Sequence, residues 1–265
     1  MLLAATVQND DPIGAMIFFA CIGLVAIVHY AAKRSQGKEL DQHLHRSFTY
    51  YRGLSGPQRS SFRARVVGFV EEKDFHGRGI EVTREMETLI AACAIQLTFG
   101  LPEMALAHFT KVVIYPDRYR SRMTGSDHIG EVNPGMRAIV LSWKHFTGDY
   151  AIPDDARNLG LHEMAHALWF ENRIPNDEYD FLDRTLMQEW RILAQMEAEH
   201  IHAGKSRLFR DYAGTNQEEF FAVAVEYFFE QSVQFKKELP ELYKVMAGML
   251  KQDPTLPPLR GIVFR

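Results

Sequence analysis

Apolar and polar residues recur with a helical period along most of the chain. Apolar side chains three or four positions apart form one apolar stripe on a helix. This pattern is present in Gly56–Glu72, after Thr83, and in four later segments: 156–172, 178–203, 217–231 and 238–251. Pro57 and the N-cap residue Thr83 are typical of helix starts, and Gly and Pro residues separate the later segments. The pattern therefore predicts a mainly helical protein.

Two short runs of β-branched residues break the helical pattern in the middle of the chain. Residues 111–115 end before a proline, and residues 137–143 follow an Asn-Pro-Gly turn. Such runs between turn residues predict strands. Residues 129–132 are expected to pair with the second strand across the turn. Residues 137–142 either hold an extended peptide by edge pairing or form an ordinary core strand. The predicted fold class is α+β, mainly helical with a small β-sheet.

The first part of the chain predicts a membrane anchor. Residues 13–32 contain no Asp, Glu, Lys or Arg. As a helix they would be about 30 Å long, which matches the hydrocarbon core of a bilayer. Two aspartates precede this segment and Lys33 and Arg34 follow it, unlike a cleaved signal peptide. Basic residues stay in the cytoplasm, so we expect a single-pass anchor over 1–36 and a cytoplasmic domain over 37–265.

Composition excludes several classes of protein. The 30 basic and 34 acidic residues give a net charge of −4, so we expect no direct binding of nucleic acid. The 2 cysteines, Cys21 and Cys93, exclude a disulfide scaffold and a cysteine-rich metal site. Cys93 lies in an apolar helical segment, which predicts a thiol in the core rather than a nucleophile.

The segment His162-Glu163-Met164-Ala165-His166 contains the pattern His-Glu-x-x-His within a predicted helix. Residues four apart share a helix face, so His162 and His166 can bind one zinc ion. Glu163, one position further round, reaches a water on that ion and can act as a general base. The spacing predicts the zinc chemistry of a metal-dependent hydrolase.

A catalytic zinc site needs a third protein ligand. His200 and His202 form a His-x-His pair, but they lie in the polar last turn of a predicted helix, where basic residues favour the helix dipole. Glu219 lies where a loop enters an apolar helix and is the stronger candidate. As the third residue after Asn216, Glu219 also fits a helix capping box. Residue types and spacing leave these alternatives open.

Two segments together resemble a known family. They are 162–166 and 212–222, the latter reading Tyr-Ala-Gly-Thr-Asn-Gln-Glu-Glu-Phe-Phe-Ala. Both resemble the Mlc titration factor A family of bacterial zinc peptidases and are similar to the catalytic domain of anthrax lethal factor. In both groups a tyrosine lies seven residues before the third zinc ligand, as Tyr212 lies before Glu219. The resemblance covers roughly residues 50–255.

The resemblance implies a zincin-like, zinc-dependent peptidase that acts on a peptide or protein. Its Zn²⁺ would be bound by His162, His166 and Glu219. Glu163 would be the catalytic base, and Tyr212 would donate a hydrogen bond to the oxyanion.

The resemblance also implies a second hypothesis. Titration-factor relatives bind a transcriptional repressor of sugar uptake, so this chain is alternatively a sequestering partner of such a repressor with weak or conditional peptidase activity. The apolar anchor is absent from the best-known cytosolic members of the family. The location expected here, the bacterial inner membrane with a cytoplasmic catalytic domain, therefore comes from the N-terminal segment alone.

One position departs from the family pattern. The family usually has Asp three residues after the second histidine, and this chain has Trp169. Metal-bound imidazoles normally donate their second N–H to a carboxylate or carbonyl, which fixes the ring. Four residues are candidates for that role here: Glu171, Asn172, Asp180 and Glu226.

Overall fold

The computed structural model describes residues 22, 37–103, 105–121, 124–174 and 181–256. The chain divides into two compact units, Met1–His43 and Leu44–Arg265. The predicted membrane span 13–32 lies outside the described residues, except for Ile22. Within the described part of the chain, no helix is both long and apolar enough to cross a membrane. The anchor and its boundary with the catalytic domain stay predictions.

The second unit combines many helices with a few short strands. Its helices are α1 (Thr49–Gly53), α2 (Gly56–Glu72), α3 (Arg84–Thr98), α4 (Trp143–Tyr150), α5 (Leu159–Glu171), α6 (Arg184–His202), α7 (Gln217–Glu230), α8 (Ser232–Glu238) and α9 (Pro240–Leu250). Its strands are β1 (Asp74–Gly77), β2 (Lys111–Tyr115), β3 (Tyr119–Arg120), β4 (Asp127–His128), β5 (Gly130–Asn133) and β6 (Ala138–Ser142). A 3-10 turn at Asp211–Gly214 precedes α7. The predicted α+β class, with more helix than strand, is confirmed.

Four strands form one sheet in the order β1-β2-β6-β5. The first three are parallel, and β5 pairs antiparallel with β6, with Gly130 opposite Leu141. The predicted pairing of residues 129–132 across the turn is confirmed. Of the two alternatives for residues 137–142, the structure supports the core strand and not the edge strand, because β6 lies between β2 and β5. Residues on both faces of β6 are buried, as in a strand in the middle of a covered sheet.

The helix boundaries differ from the sequence pattern where local backbone chemistry intervenes. Trp143, expected at the end of a strand, begins α4, because the side chain of Ser142 caps this helix by accepting from His145 N. The helix predicted over 238–251 is α9, which begins at Pro240 because proline fits the first turn of a helix. Glu238 instead ends α8.

Helix α5 packs against α7 and against α3, and all three helices are largely buried. Helix α5 approaches its neighbours closely at Gly160, where an added Cβ would lie 2.6 Å from Phe146 Cε2 and 2.8 Å from Cys93 Sγ. Cys93 is a free, fully buried thiol, and burial raises its pKa to about 12. The predicted core role of Cys93 is confirmed. This packing fixes α5, which carries His162 and His166.

Candidate metal centre

His162 and His166 lie one turn apart on α5 and face Glu219 at the start of α7. Their Nε2 atoms are 3.1 Å apart. Oε2 of Glu219 is 3.1 Å from Nε2 of His162 and 3.4 Å from Nε2 of His166. Among the described residues, these three form the one group of His, Cys, Asp and Glu side chains close enough to hold a metal ion. The structure thus brings together the three residues that the sequence analysis proposed as ligands.

The spacing of these three atoms fits a tetrahedral zinc site. Zinc binds imidazole nitrogen and carboxylate oxygen at about 2.0–2.2 Å, so two ligand atoms of a tetrahedron are about 3.3–3.5 Å apart. Oε2 of Glu219 is also buried, with the two imidazole nitrogens beside it at 3.1 and 3.4 Å. A buried carboxylate is costly unless its charge is paired. A cation bound between Glu219 and the two imidazoles would remove that cost, so the donor set fits zinc.

The charges at the site support the same assignment. Burial opposes a charged imidazole, but the carboxylates of Glu219 and Glu226 together raise the pKa of His162 to about 10. Burial likewise opposes a charged Glu219, yet the neighbouring imidazoles hold the pKa of its carboxyl well below the usual range. The pocket therefore stabilises positive charge between α5 and α7.

Glu226 orients the imidazole of His162. Its Oε1 is 2.8 Å from Nδ1 of His162, and its Oε2 accepts a hydrogen bond from Asn158 N at 2.7 Å. Glu226 lies two turns after Glu219 on α7 and is only 2% exposed. The ring nitrogen that faces the metal position is therefore Nε2. Of the four sequence candidates, Glu226 takes this role.

The other three candidates are not seen to orient either histidine in the described part of the chain. The carboxylate of Glu171 accepts from the backbone N–H groups of Leu106 and His108, and Oδ1 of Asn172 accepts from Leu182 N at 3.1 Å. Asp180 lies outside the described residues. Nδ1 of His166 is buried and has no hydrogen-bond partner among the residues that are described. Glu226 thus supports one imidazole, and the described structure assigns no partner to the other.

Glu163 follows His162 on α5 and lies in a buried position beside β5. It is 5% exposed, and burial raises its pKa to about 6, against the opposing effect of His162 and His166. The backbone of Gly130 lies against its carboxylate, with room for no side chain. A carboxyl with a pKa near neutrality and next to a metal position is suited to accept and return a proton.

Tyr212 lies at the exposed side of the metal position. Its ring centre is 6.1 Å from that of His162, and its side chain is half exposed. Burial and the charge of Glu219 raise the pKa of Tyr212 to about 12, so the hydroxyl keeps its proton at neutral pH. The 3-10 turn that carries it is held by His202, whose Nε2 contacts Gly214 O at 2.8 Å. Tyr212 is placed to act as a hydrogen-bond donor.

The alternative roles considered for the third ligand are not seen. His202 binds the turn, and His200 contacts Glu197 at 3.2 Å, so neither joins the metal group. Asn216 caps α7 with its own side chain, which accepts from the backbone N–H groups of Glu218 and Glu219. The carboxylate of Glu219 faces the imidazoles instead of closing a capping box.

Sequence reasoning missed three contributors. Gly130 provides the close approach to Glu163, Arg210 binds Glu226, and Tyr119 lies near enough to Glu163 for that carboxylate to raise its pKa. Tyr119 is 8% exposed, its pKa is raised by burial and by Glu131 and Glu163, and its hydroxyl has no hydrogen-bond partner among the described residues. No motif marks these positions, because their roles depend on residues distant in sequence.

Comparisons with known proteins agree with the geometry. The chain is 27% identical over 223 residues to an uncharacterized protein of Synechocystis, with 78% of this chain and 81% of that protein covered. It is 29% identical over 199 residues to Mlc titration factor A of Edwardsiella ictaluri, with 66% of this chain and 72% of that protein covered. The corresponding protein of Pectobacterium atrosepticum is 24% identical over 229 residues, with 76% and 82% covered.

The resemblance to the Mlc titration factor A proteins is therefore confirmed. The family profile described as glucose-regulated metallo-peptidase M90 matches residues 29–251, which include both helices of the metal centre. The chain belongs to the glucose-regulated metallo-peptidase M90 family.

Proposed function

We propose that the protein is a zinc-dependent peptidase in which His162, His166 and Glu219 bind the metal. The observation that carries this proposal is the triangle of two Nε2 atoms and one Oε2 atom, with sides of 3.1–3.4 Å, beside the buried carboxylate of Glu163. When bound, zinc would supply a Lewis acid that polarises the scissile carbonyl and acidifies water.

Glu163 transfers a proton from the attacking water to the leaving amine. With a pKa of about 6 its carboxylate is ionised at neutral pH and accepts a proton from the attacking water. The same oxygen then returns the proton to the amine that leaves. Tyr212 keeps its hydroxyl proton and donates a hydrogen bond to the carbonyl oxygen as negative charge develops there, an effect worth about 3–4 kcal/mol for a single donor.

Strand β5 is the proposed peptide-binding edge, in place of the strand at 137–142. Among the described strands it is last in the sheet order and pairs with β6 on one side. Its first residue, Gly130, lies against Glu163. An extended peptide that added to β5 would place its backbone beside the base.

Peptide cleavage with matched variants tests the proposal. Zinc-loaded protein should cleave members of a fluorogenic peptide library, and a chelator should abolish the cleavage. The Glu163→Gln protein should keep zinc near one per chain and lose activity at least a thousandfold, because an amide does not accept the water proton. Activity of Glu163→Gln within a few-fold of the parent, or cleavage indifferent to chelator, would contradict the proposal.

A second candidate function is binding of a repressor. Similar proteins of Edwardsiella ictaluri and Pectobacterium atrosepticum are named Mlc titration factor A. Under this hypothesis the chain sequesters a Mlc-like repressor that controls sugar uptake, and its peptidase activity is weak or conditional. Capture of a purified Mlc-like repressor by both the parent and Glu163→Gln, unaffected by chelator, favours the binding function. Chelator-sensitive cleavage without such capture favours the peptidase.

The proposed location is the bacterial inner membrane, with the catalytic domain in the cytoplasm. The support is the uncharged segment 13–32 followed by Lys33 and Arg34. Full-length protein should stay with membranes through carbonate extraction, and protease added outside should leave the C-terminus intact. Carbonate-soluble protein contradicts the anchor, and digestion of the C-terminus from outside contradicts the orientation.

A further inference from the structure

Arg210 contacts the carboxylate that orients His162. Its Nη2 donates to Oε1 of Glu226 at 2.5 Å, and the same Oε1 is 2.8 Å from Nδ1 of His162. The second oxygen of Glu226 accepts from Asn158 N at 2.7 Å. Three donors, two from the start of α5 and one from the turn before α7, therefore converge on one carboxylate that is 2% exposed. Charge-assisted hydrogen bonds of this kind fix the position of a side chain.

The other arm of the guanidinium reaches the loop that enters α5. Nη1 of Arg210 donates to the backbone carbonyl of Ala156 at 2.5 Å. Ala156 is fully buried and has a φ of 57°, a left-handed conformation that is unfavourable for alanine. Residues in such conformations persist where surrounding contacts hold them. Arg210 provides one of those contacts to Ala156. Ala156 lies two residues before Asn158, the N-cap of α5.

The backbone of Arg210 begins the turn that carries Tyr212. Its carbonyl accepts a hydrogen bond from Ala213 N at 3.0 Å, which closes the first turn of the 3-10 segment. The side chain of Arg210 is mostly buried, with 26% exposed. One residue thus contacts the orienting carboxylate by its side chain and sets the start of the tyrosine turn by its main chain.

We propose that Arg210 is a positioning residue that holds the His162 imidazole and the Tyr212 hydroxyl in one fixed geometry. The proposal rests on the peptidase function proposed above. A guanidinium is needed because its planar fork reaches Ala156 O and Glu226 Oε1 together, whereas the single ammonium of lysine does not reproduce both contacts. Loss of the Arg210 side chain should loosen zinc binding through Glu226. It should also displace the turn that carries Tyr212, because the main chain of residue 210 is then no longer anchored to Ala156 and Glu226.

Measurement of zinc affinity tests the effect of Arg210 on His162 and needs no peptidase activity. Competition with a chromophoric chelator should show about 10- to 100-fold weaker zinc binding for Arg210→Met, the usual effect of losing an outer-shell partner. Arg157→Met removes an exposed arginine from the same loop and should bind zinc as the parent does. Thermal unfolding identifies a merely structural role: a lower unfolding temperature with unchanged zinc affinity would overturn the proposal.

A double-mutant cycle on zinc-saturated protein tests the effect of Arg210 on Tyr212. Arg210→Lys should lower kcat about tenfold with little change in KM, because Tyr212 loses its place. In the Tyr212→Phe background the same substitution should change kcat less than twofold, since the displaced hydroxyl is already gone. An equal loss in both backgrounds would overturn the coupling to Tyr212. If the parent cleaves no peptide, the proposed function fails, while the zinc competition still decides the role of Arg210.

Discussion

Gly130 lies directly against the carboxylate of Glu163. A Cβ built at Gly130 would be 2.3 Å from Oε1 and 2.6 Å from Cδ of Glu163. Both distances are far shorter than a van der Waals contact, so only glycine allows β5 and α5 to approach this closely. The backbone of the proposed peptide-binding strand is therefore in contact with the proposed base.

The substitution Gly130→Ala should disable the site while leaving the metal in place. The new methyl group must displace either β5 or the carboxylate of Glu163, and a shift of about 1 Å at a reacting group can lower the rate about a hundredfold. We expect kcat/KM to fall at least tenfold, with zinc content near that of the parent. Gly135→Ala is the control, because its Cβ would meet only Asn133 Oδ1 at an ordinary 3.5 Å. Equal activity in the two variants would contradict the contact.

The acid side of the pH–activity profile should report Glu163. Burial raises its pKa to about 6, and the proposed mechanism needs the ionised form. Activity should therefore fall as pH drops through about 6, instead of through the ordinary glutamate range near 4.5. Measurement of kcat/KM from pH 4.5 to 8 on protein kept saturated with zinc checks this. Zinc content must be recorded at each pH, because a proton on His162 competes with the metal for the imidazole.

The sequence predicted the metal ligands better than it predicted their surroundings. His162 and His166 are one helical turn apart, so their geometry is local and their spacing alone brings them together. Glu219 lies on another helix, and residue types left it beside the alternative of a helix cap; the family resemblance selected it. Choosing Glu226 from four candidates required the packing of α7 against α5, which no local pattern contains.

In the fold, too, local features were predictable from sequence and contacts between distant segments were not. Helical periodicity predicted α5 and α7 within a few residues. The order of the strands was not predictable, since β1 is only four residues long and its parallel pairing with β2 joins segments far apart in sequence. For the same reason the sequence left open whether the strand at 137–142 lies at an edge: an apolar run predicts a strand both at the edge and in the middle of a sheet.

Two adjacent glutamates allow a strict test of the third ligand. Oε2 of Glu219 lies at the imidazoles, whereas Glu218 pairs with exposed Arg173 at 2.8 Å. Glu219→Gln removes an anionic ligand, so zinc content after dialysis should fall sharply and activity with it. Glu218→Gln should keep both, because an exposed ion pair contributes at most about 1 kcal/mol. Equal zinc in the two variants would exclude Glu219 as a ligand.

Glu230, at the end of α7, should make stability depend on pH in a way unrelated to the metal. Its Oε1 accepts from Asn158 Nδ2 at 2.9 Å, while its Oε2 is buried and has no partner among the described residues. Burial is the largest cause that raises its pKa to about 8, and the charges of Asp155 and Glu226 add to it. The folded protein therefore holds a proton on Glu230 at a pH where the unfolded chain has released it.

The sign of the effect follows from linkage. Because the pKa of Glu230 is about 8 in the folded protein and an ordinary glutamate has a pKa of 4.5, ionisation disfavours the folded state increasingly as pH rises from about 4.5 to 8. Glu230→Gln imitates the protonated acid and removes this dependence. The unfolding temperature of Glu230→Gln minus that of the parent should therefore increase by several degrees from pH 5.5 to pH 9, since 1 kcal/mol shifts it by about 2–4 °C in a protein of this size. Glu189→Gln, an exposed position on α6, should show a difference that is constant with pH, and a constant difference for Glu230→Gln would contradict the buried proton.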